Sequence, residues 1–144
     1  MSIVDIFERF AADFEHAVRD DNWLRLEKYF AKDATYLNLG GPDPKCMGRD
    51  AILAYFKKDV TSTDRKFDSR TLVAISPPVA DGDFLSREWR CTYTLNGVPD
   101  FVLEGESRYL FENNLIKSLE VELTEDSMQT LDSWMRENGD KLQI

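Results

Sequence analysis

The sequence predicts an α+β domain: helices come first, a run of antiparallel strands follows, and the helices pack on one face of a curved sheet. Three observations predict it. Apolar residues recur at helical spacing near the N-terminus. The spacing turns from helical to extended at Ala34. From Lys66 to Leu123 the chain then stays extended, cut by turn pairs at Asp81-Gly82, Asn96-Gly97 and Asn113-Asn114.

In residues 3–19, Ile3, Phe7, Phe10, Ala11, Phe14 and Val18 make one apolar stripe, and Ser2 or Asp5 can cap its start. Asp20-Asp21-Asn22 breaks this helix, and residues 23–31 read as a second one. A short strand over 34–39 follows. Gly40, Gly41, Pro42 and Pro44 then forbid regular structure, which makes that stretch a turn. From Gly48 to residue 60, Ile52, Tyr55, Phe56 and Val60 return at helical spacing. Extended segments are expected over 67–76, 84–95, 100–111 and 115–123. Thr124 or Asp126 caps a last helix, with Met128, Leu131 and Met135 on one side, ending near Gly139.

A chain of 144 residues with 42% hydrophobic and 12% aromatic residues reads as one domain over 1–144 with a substantial core. Its net charge of −9 argues against nucleic acid and against an anionic membrane surface as partners. Charges fall too early in MSIVDIFERF for a secretory signal, and no apolar run is long enough to span a bilayer. Cys46 and Cys91 have no metal or redox spacing, so reduced thiols and a cytoplasmic location are expected.

Asn96-Gly97 is the strongest hairpin signal in the chain. A two- or four-residue loop there puts Leu85, Arg87, Trp89, Cys91 and Tyr93 on one face with Val102, Glu104, Glu106 and Arg108. The opposite face then carries Phe84, Ser86, Glu88, Arg90 and Thr92 with Phe101, Leu103, Gly105, Ser107 and Tyr109. The first face mixes aromatic walls with a few charged groups, as a ligand pocket does. A solvated sheet face with cross-strand Glu–Arg pairs has the same pattern.

Phe30-Ala31-Lys32-Asp33-Ala34, the pair Tyr36 and Asn38, and Gly48-Arg49-Asp50-Ala51-Ile52 carry a resemblance. They resemble the nuclear transport factor 2-like superfamily, which includes SnoaL-like polyketide cyclases, ketosteroid isomerases and limonene epoxide hydrolases. The resemblance implies a cone-shaped fold over a strongly bent sheet and a homodimer joined through the outer sheet face. Aligned without a gap from Asn96 to Ser118, Glu106 falls where the isomerases keep a protonated carboxylic acid that donates to an oxyanion. Phe14 stands at the position of their tyrosine donor and Asn38 at that of their aspartate base, so the usual isomerisation is not expected. Tyr36 and Asn38 match the pair with which the epoxide hydrolases help to hold water. The hydrolases' Arg-x-Asp falls near Glu88-Trp89-Arg90, with the charges reversed, and their second strand carboxylate falls near Val121.

The catalytic candidates are therefore Glu106, Asn38 and Tyr36. The expected ligand-binding residues are Phe14, Tyr55, Arg87, Trp89, Tyr93, Glu104, Leu119 and Leu123. His16, the only histidine, lies opposite the apolar stripe of its helix and reads as solvent-facing. Asp81 and Asp83 read as turn residues, and Gly40-Gly41 lacks the context of a phosphate loop. No metal and no cofactor are expected. The expected function is enclosure of a small apolar organic molecule, with acid–base chemistry of the isomerase, cyclase or hydrolase type. A non-catalytic ligand-binding or association module is the alternative.

Overall fold

A computed structural model of the chain describes residues 2–39 and 45–142. Helix α1 (Ile3–Asp20) starts at a capping box, in which the Ser2 hydroxyl accepts from the Asp5 amide and the Asp5 carboxylate accepts from the Ser2 amide. Its stripe faces the core, with Phe7 and Phe10 buried and Ile3, Ala11, Phe14 and Val18 half-buried, and His16 is exposed. The second expected helix is instead a 3-10 helix, Trp23–Tyr29. Its buried residues, Trp23, Leu26 and Tyr29, recur every three positions, the period of that tighter helix, while Leu24 points to solvent.

Strand β1 (Phe30–Leu39) begins four residues earlier than expected. The turn residues Gly40, Gly41, Pro42 and Pro44 lie outside the described residues. Strand β2 (Lys45–Met47) leads to α2 (Arg49–Ser62), whose Ile52, Leu53, Phe56 and Val60 are buried. Then come β3 (Ser69–Ala74), β4 (Val79–Asp81), β5 (Phe84–Thr94), β6 (Phe101–Glu112), β7 (Leu115–Leu123) and α3 (Glu125–Asn138). Thr124 caps α3 by accepting from the Ser127 amide at 3.1 Å. Among the described residues no helix is long and apolar enough to cross a membrane.

The sheet order is β2-β1-β7-β6-β5-β3, with β4 also pairing β5. One ladder departs from the antiparallel pattern: β1 pairs with β7 in parallel, Tyr36 opposite Leu119 and Asn38 opposite Val121. Both Asn113 and Asn114 take positive φ, the geometry of a tight type I′ turn, so Glu112 faces Leu115.

The Asn96-Gly97 hairpin corrects the expected register. Only Gly97 takes positive φ there, so the two-residue I′ turn does not form. The turn is closed by the Val98 amide on the Leu95 carbonyl, and Pro99, which has no N–H, cannot join the ladder. Pairing resumes with Tyr93 opposite Phe101, and odd positions then face odd positions. A one-residue slip moves every side chain of β6 to the other face. Phe101, Leu103, Gly105, Ser107, Tyr109 and Phe111 therefore share the concave face with Leu85, Arg87, Trp89, Cys91 and Tyr93.

The helices lie against that concave face in two separate cores. One joins α1, the 3-10 helix and α2 to β1, with Phe10 packed edge-on against Tyr29, Phe30 and Tyr109. The other lies under α3, where Trp134 stacks on Phe101 at 5.1 Å and meets Phe67 at 5.3 Å. Trp89 lies across Gly105 on the neighbouring strand. A Cβ there would sit 2.6 Å from the Trp89 ring and 2.6 Å from the Glu122 carbonyl, so only glycine fits.

Candidate functional site

The ladder registers arrange the concave face in rows. The deepest row runs Cys46, Tyr36, Leu119, Tyr109 and Leu85, and all but Cys46 are buried. The next runs Asn38, Val121, Ser107 and Arg87; the third runs Leu123, Gly105, Trp89 and Ala74. Beyond these, Phe101 and Tyr93 are sealed under α3. In the two middle rows Asn38, Val121, Arg87, Leu123 and Trp89 point inward yet are only half-buried. These five lie between the two cores, and Ser107 and Gly105 in the same rows are buried.

Helix α2 forms the opposite wall. Tyr55 receives a hydrogen bond from Asn38 Nδ2 at 3.1 Å, and its ring lies 5.3 Å from that of Tyr36. One turn on, Asp59 falls beside Ile52 and Phe56 on the inward side of the helix at about 100° per residue. Those neighbours are buried and Asp59 is reached by solvent. The surrounding protein strips part of its hydration, Asp64 adds a like charge, and Arg70 only partly offsets them. Its carboxyl is pushed up to about 6. Tyr36 lies within electrostatic reach of Tyr55 and Asp59, and burial holds its phenol well above the ordinary tyrosine range.

A charged cluster closes one side. Arg70, on β3 with 12% of its side chain exposed, donates to Glu15 at 2.5 Å and to Asp64 at 2.7 Å. Tyr93 also donates to Asp64, at 3.3 Å. Burial raises the Asp64 carboxyl, and Arg70 opposes that rise. Toward the other end Arg87 lies over the Phe7 ring, its guanidinium carbon 5.0 Å from the ring centre. Trp89 Nε1 donates to Ser107 at 3.1 Å.

The residues expected from the sequence divide into three groups. Asn38, Arg87, Trp89 and Leu123 lie half-buried in the middle rows, and Tyr55 meets Asn38 from α2. Tyr36, Phe14, Tyr93 and Leu119 also face inward but are packed behind them, Phe14 against Trp23 and Phe56. Glu104 and Glu106 point the other way, because the odd-to-odd register turns even positions of β6 outward. Glu106 lies opposite Glu88 and pairs with Arg108 at 2.8 Å, rather than with Arg87. Arg108 also holds Glu120 and Glu122 at 3.2 Å each, and Glu104 pairs with Arg90 at 2.8 Å. The epoxide-hydrolase alignment brings Glu88 and Arg90 inward, and both lie on the outer face. Asp59, Arg70 and Ser107 were not among the sequence candidates. A carboxylate in line with Ile52 and Phe56 was the readable sign of Asp59; Ser107 becomes visible only once the register is known.

An open hollow of about 640 Å³ lies outside the cone, bordered by Arg9, Asp13, Lys28 and Tyr29. Tyr29 donates to Asp13 there at 2.5 Å, and Lys28 stands 3.8 Å from the same carboxylate. Among the described residues no group of three or more His, Cys, Asp or Glu could hold a metal ion.

A family model described as a SnoaL-like domain matches residues 8–119. No curated protein matches the sequence. Among solved structures the chain is similar to TerC co-crystallised with polyporic acid, at 11% identity and a TM-score of 0.67, covering 92% of this chain and 99% of that one. It is similar to a candidate SnoaL-like polyketide cyclase from Shewanella denitrificans, at 13% identity and 0.64, covering 88% and 96%. A candidate isomerase from Rhodopseudomonas palustris superposes at 0.70 with 15% identity, covering 89% and 96%. At these identities the likeness is one of fold: the nuclear transport factor 2-like α+β cone.

Proposed function

Because this chain belongs to the SnoaL-like domain family, we propose that its cone encloses a small organic molecule and performs acid–base chemistry on it. The observation that carries this reading is the band of inward-facing, half-buried side chains between two closed aromatic cores. Relatives of the polyketide cyclase type, and a neighbour crystallised with polyporic acid, support the same class of ligand.

The apolar walls are Val121, Leu123 and Trp89, and Asn38 with Tyr55 orients the polar end of the ligand. Asp59 takes the acid–base role that the sequence suggested for Glu106, since its carboxyl changes charge near neutral pH and looks into the open space. Tyr36 stays a neutral phenol behind Asn38. The chain works as a homodimer through the outer sheet face, where Val73, Phe84 and Val102 are exposed; light scattering of the purified protein reads this directly.

The test is a thermal-shift screen of planar phenols, quinones and polyketide mimics against wild type and Val121→Trp, which fills the open rows. A ligand at about a hundred times its dissociation constant adds roughly 2.7 kcal/mol, an easily measured shift. Hits in wild type that vanish in Val121→Trp support the reading, and a screen with no hits overturns it. The Asn38–Tyr55 pair, an amide where a base would be expected, favours ligand holding without chemistry as the second reading. Turnover that is lost in Asp59→Asn while binding persists decides for the enzyme.

A further inference from the structure

We infer that the ligand of this cone is an organic anion, and that Arg87 is its counter-charge. The inference rests on the reading of the interior as a ligand site and names the chemical class that the site accepts.

Arg87 lies in the second row of the concave face, at the opposite end from Asn38. Its Nε is buried and has no hydrogen-bond partner, and the side chain takes part in none of the ion pairs among the described residues. The other inward arginine shows what a satisfied one looks like here: Arg70 is held by Glu15 and Asp64. The chain carries 27 acidic and 18 basic residues, so carboxylates are plentiful, yet among the described residues none forms an ion pair with Arg87. A guanidinium whose Nε is withdrawn from water without a partner is costly, and an oxyanion bound along that edge would relieve the cost. The Phe7 ring beneath the guanidinium fixes its plane, which leaves the planar fork to grip a carboxylate or an ionised enol with two parallel hydrogen bonds.

The same row gives the ligand's size. From Arg87 to Asn38 is three strand spacings, about 14 Å along the sheet, passing over Ser107, which is buried beneath the Trp89 indole that donates to it, and over Val121. A molecule of one or two flat rings fits, with its anionic end at Arg87, its body against Val121 and Trp89, and a polar group at Asn38 and Tyr55.

The experiment is calorimetric titration at pH 7.5 with 2-naphthoate, with 2-naphthamide of the same shape but no charge, and with dimedone as an acidic enol. Wild type is expected to bind naphthoate at least about tenfold more tightly than the amide. Arg87→Met abolishes that preference and leaves amide binding within about threefold, and Arg87→Lys restores part of it. Dimedone binding that also depends on Arg87 assigns the site to enols as well as carboxylates; indifference to Arg87 restricts it to carboxylates. If Arg87→Met does not fold, the salt dependence of wild type replaces it: naphthoate affinity must fall with added NaCl while amide affinity holds. Equal binding of acid and amide, or a preference that survives Arg87→Met, overturns the inference while leaving the ligand cavity standing. Binding of none of the three, with no neutral hit from the screen, overturns both.

Discussion

Replacing Asp59 by asparagine keeps the shape of the side chain and removes its charge, so it isolates what the partly dehydrated carboxylate costs the fold. In the folded protein the carboxyl is raised from its ordinary value to about 6. The unfolded chain ionises it near 4, so between these values the folded state binds more protons and wild type loses stability as pH rises. The contribution is complete below about pH 4 and gone above about pH 6. A carboxyl raised that far is worth roughly 3 kcal/mol when fully enclosed. Water reaches Asp59, so screening cuts this to about 1 kcal/mol. Asp59→Asn should therefore melt about 3 °C above wild type at pH 8, with the gap shrinking through pH 6 and nearly closed at about pH 4. Glu15, Asp64 and Arg70 are common to both proteins. Loss of the like charge beside Asp64 acts in the same direction. The assay is differential scanning calorimetry of both proteins across that range. A gap of constant size at every pH, or of opposite sign, would refute the raised carboxyl and with it the acid–base role proposed for Asp59.

Gly105→Ala should cost about 2 kcal/mol in urea denaturation, because the new methyl meets a backbone carbonyl and an indole at once. Trp89 fluorescence should shift as the ring leaves Ser107. Arg70→Leu should cost about 3–5 kcal/mol at pH 7 by stranding two carboxylates, and adding Glu15→Gln with Asp64→Asn should recover most of the loss.

The periodic parts of this fold were legible in the sequence. The stripe from Ile3 to Val18 and the Asn113-Asn114 turn each carry a local physical cause and form where expected, while the change to extended chain comes four residues before Ala34. The 3-10 helix was misread because Trp23, Leu26 and Tyr29 sit where either helical period could bury them. The face of β6 was lost to one dipeptide. Asn96-Gly97 is a strong signal for a two-residue turn, but the ladder's phase was set by Pro99, two residues further on. That single step put Glu104 and Glu106 into the pocket on paper and hid Ser107. The faces of β1, β5 and β7 do not depend on it, so Asn38, Arg87, Trp89 and Leu123 stand on the concave face as expected. Arg70 meets Glu15 only through packing between distant segments, which no local pattern encodes.

The parallel pairing of β1 with β7 also sets the order in which the molecule can be made. Thr35 finds its ladder partner at Ser118, so β1 leaves the ribosome long before the strand that completes it has been synthesised. Until then its ladder among the described residues is the three-residue β2, and although α1 and α2 can already cover Phe30 and Tyr36, the backbone edge that β7 will take stays unpaired. Closing so distant a pair is slow. A nascent chain stalled before Leu115 would present that edge to its neighbours, and a newly finished chain would gain protection over β1 last of all.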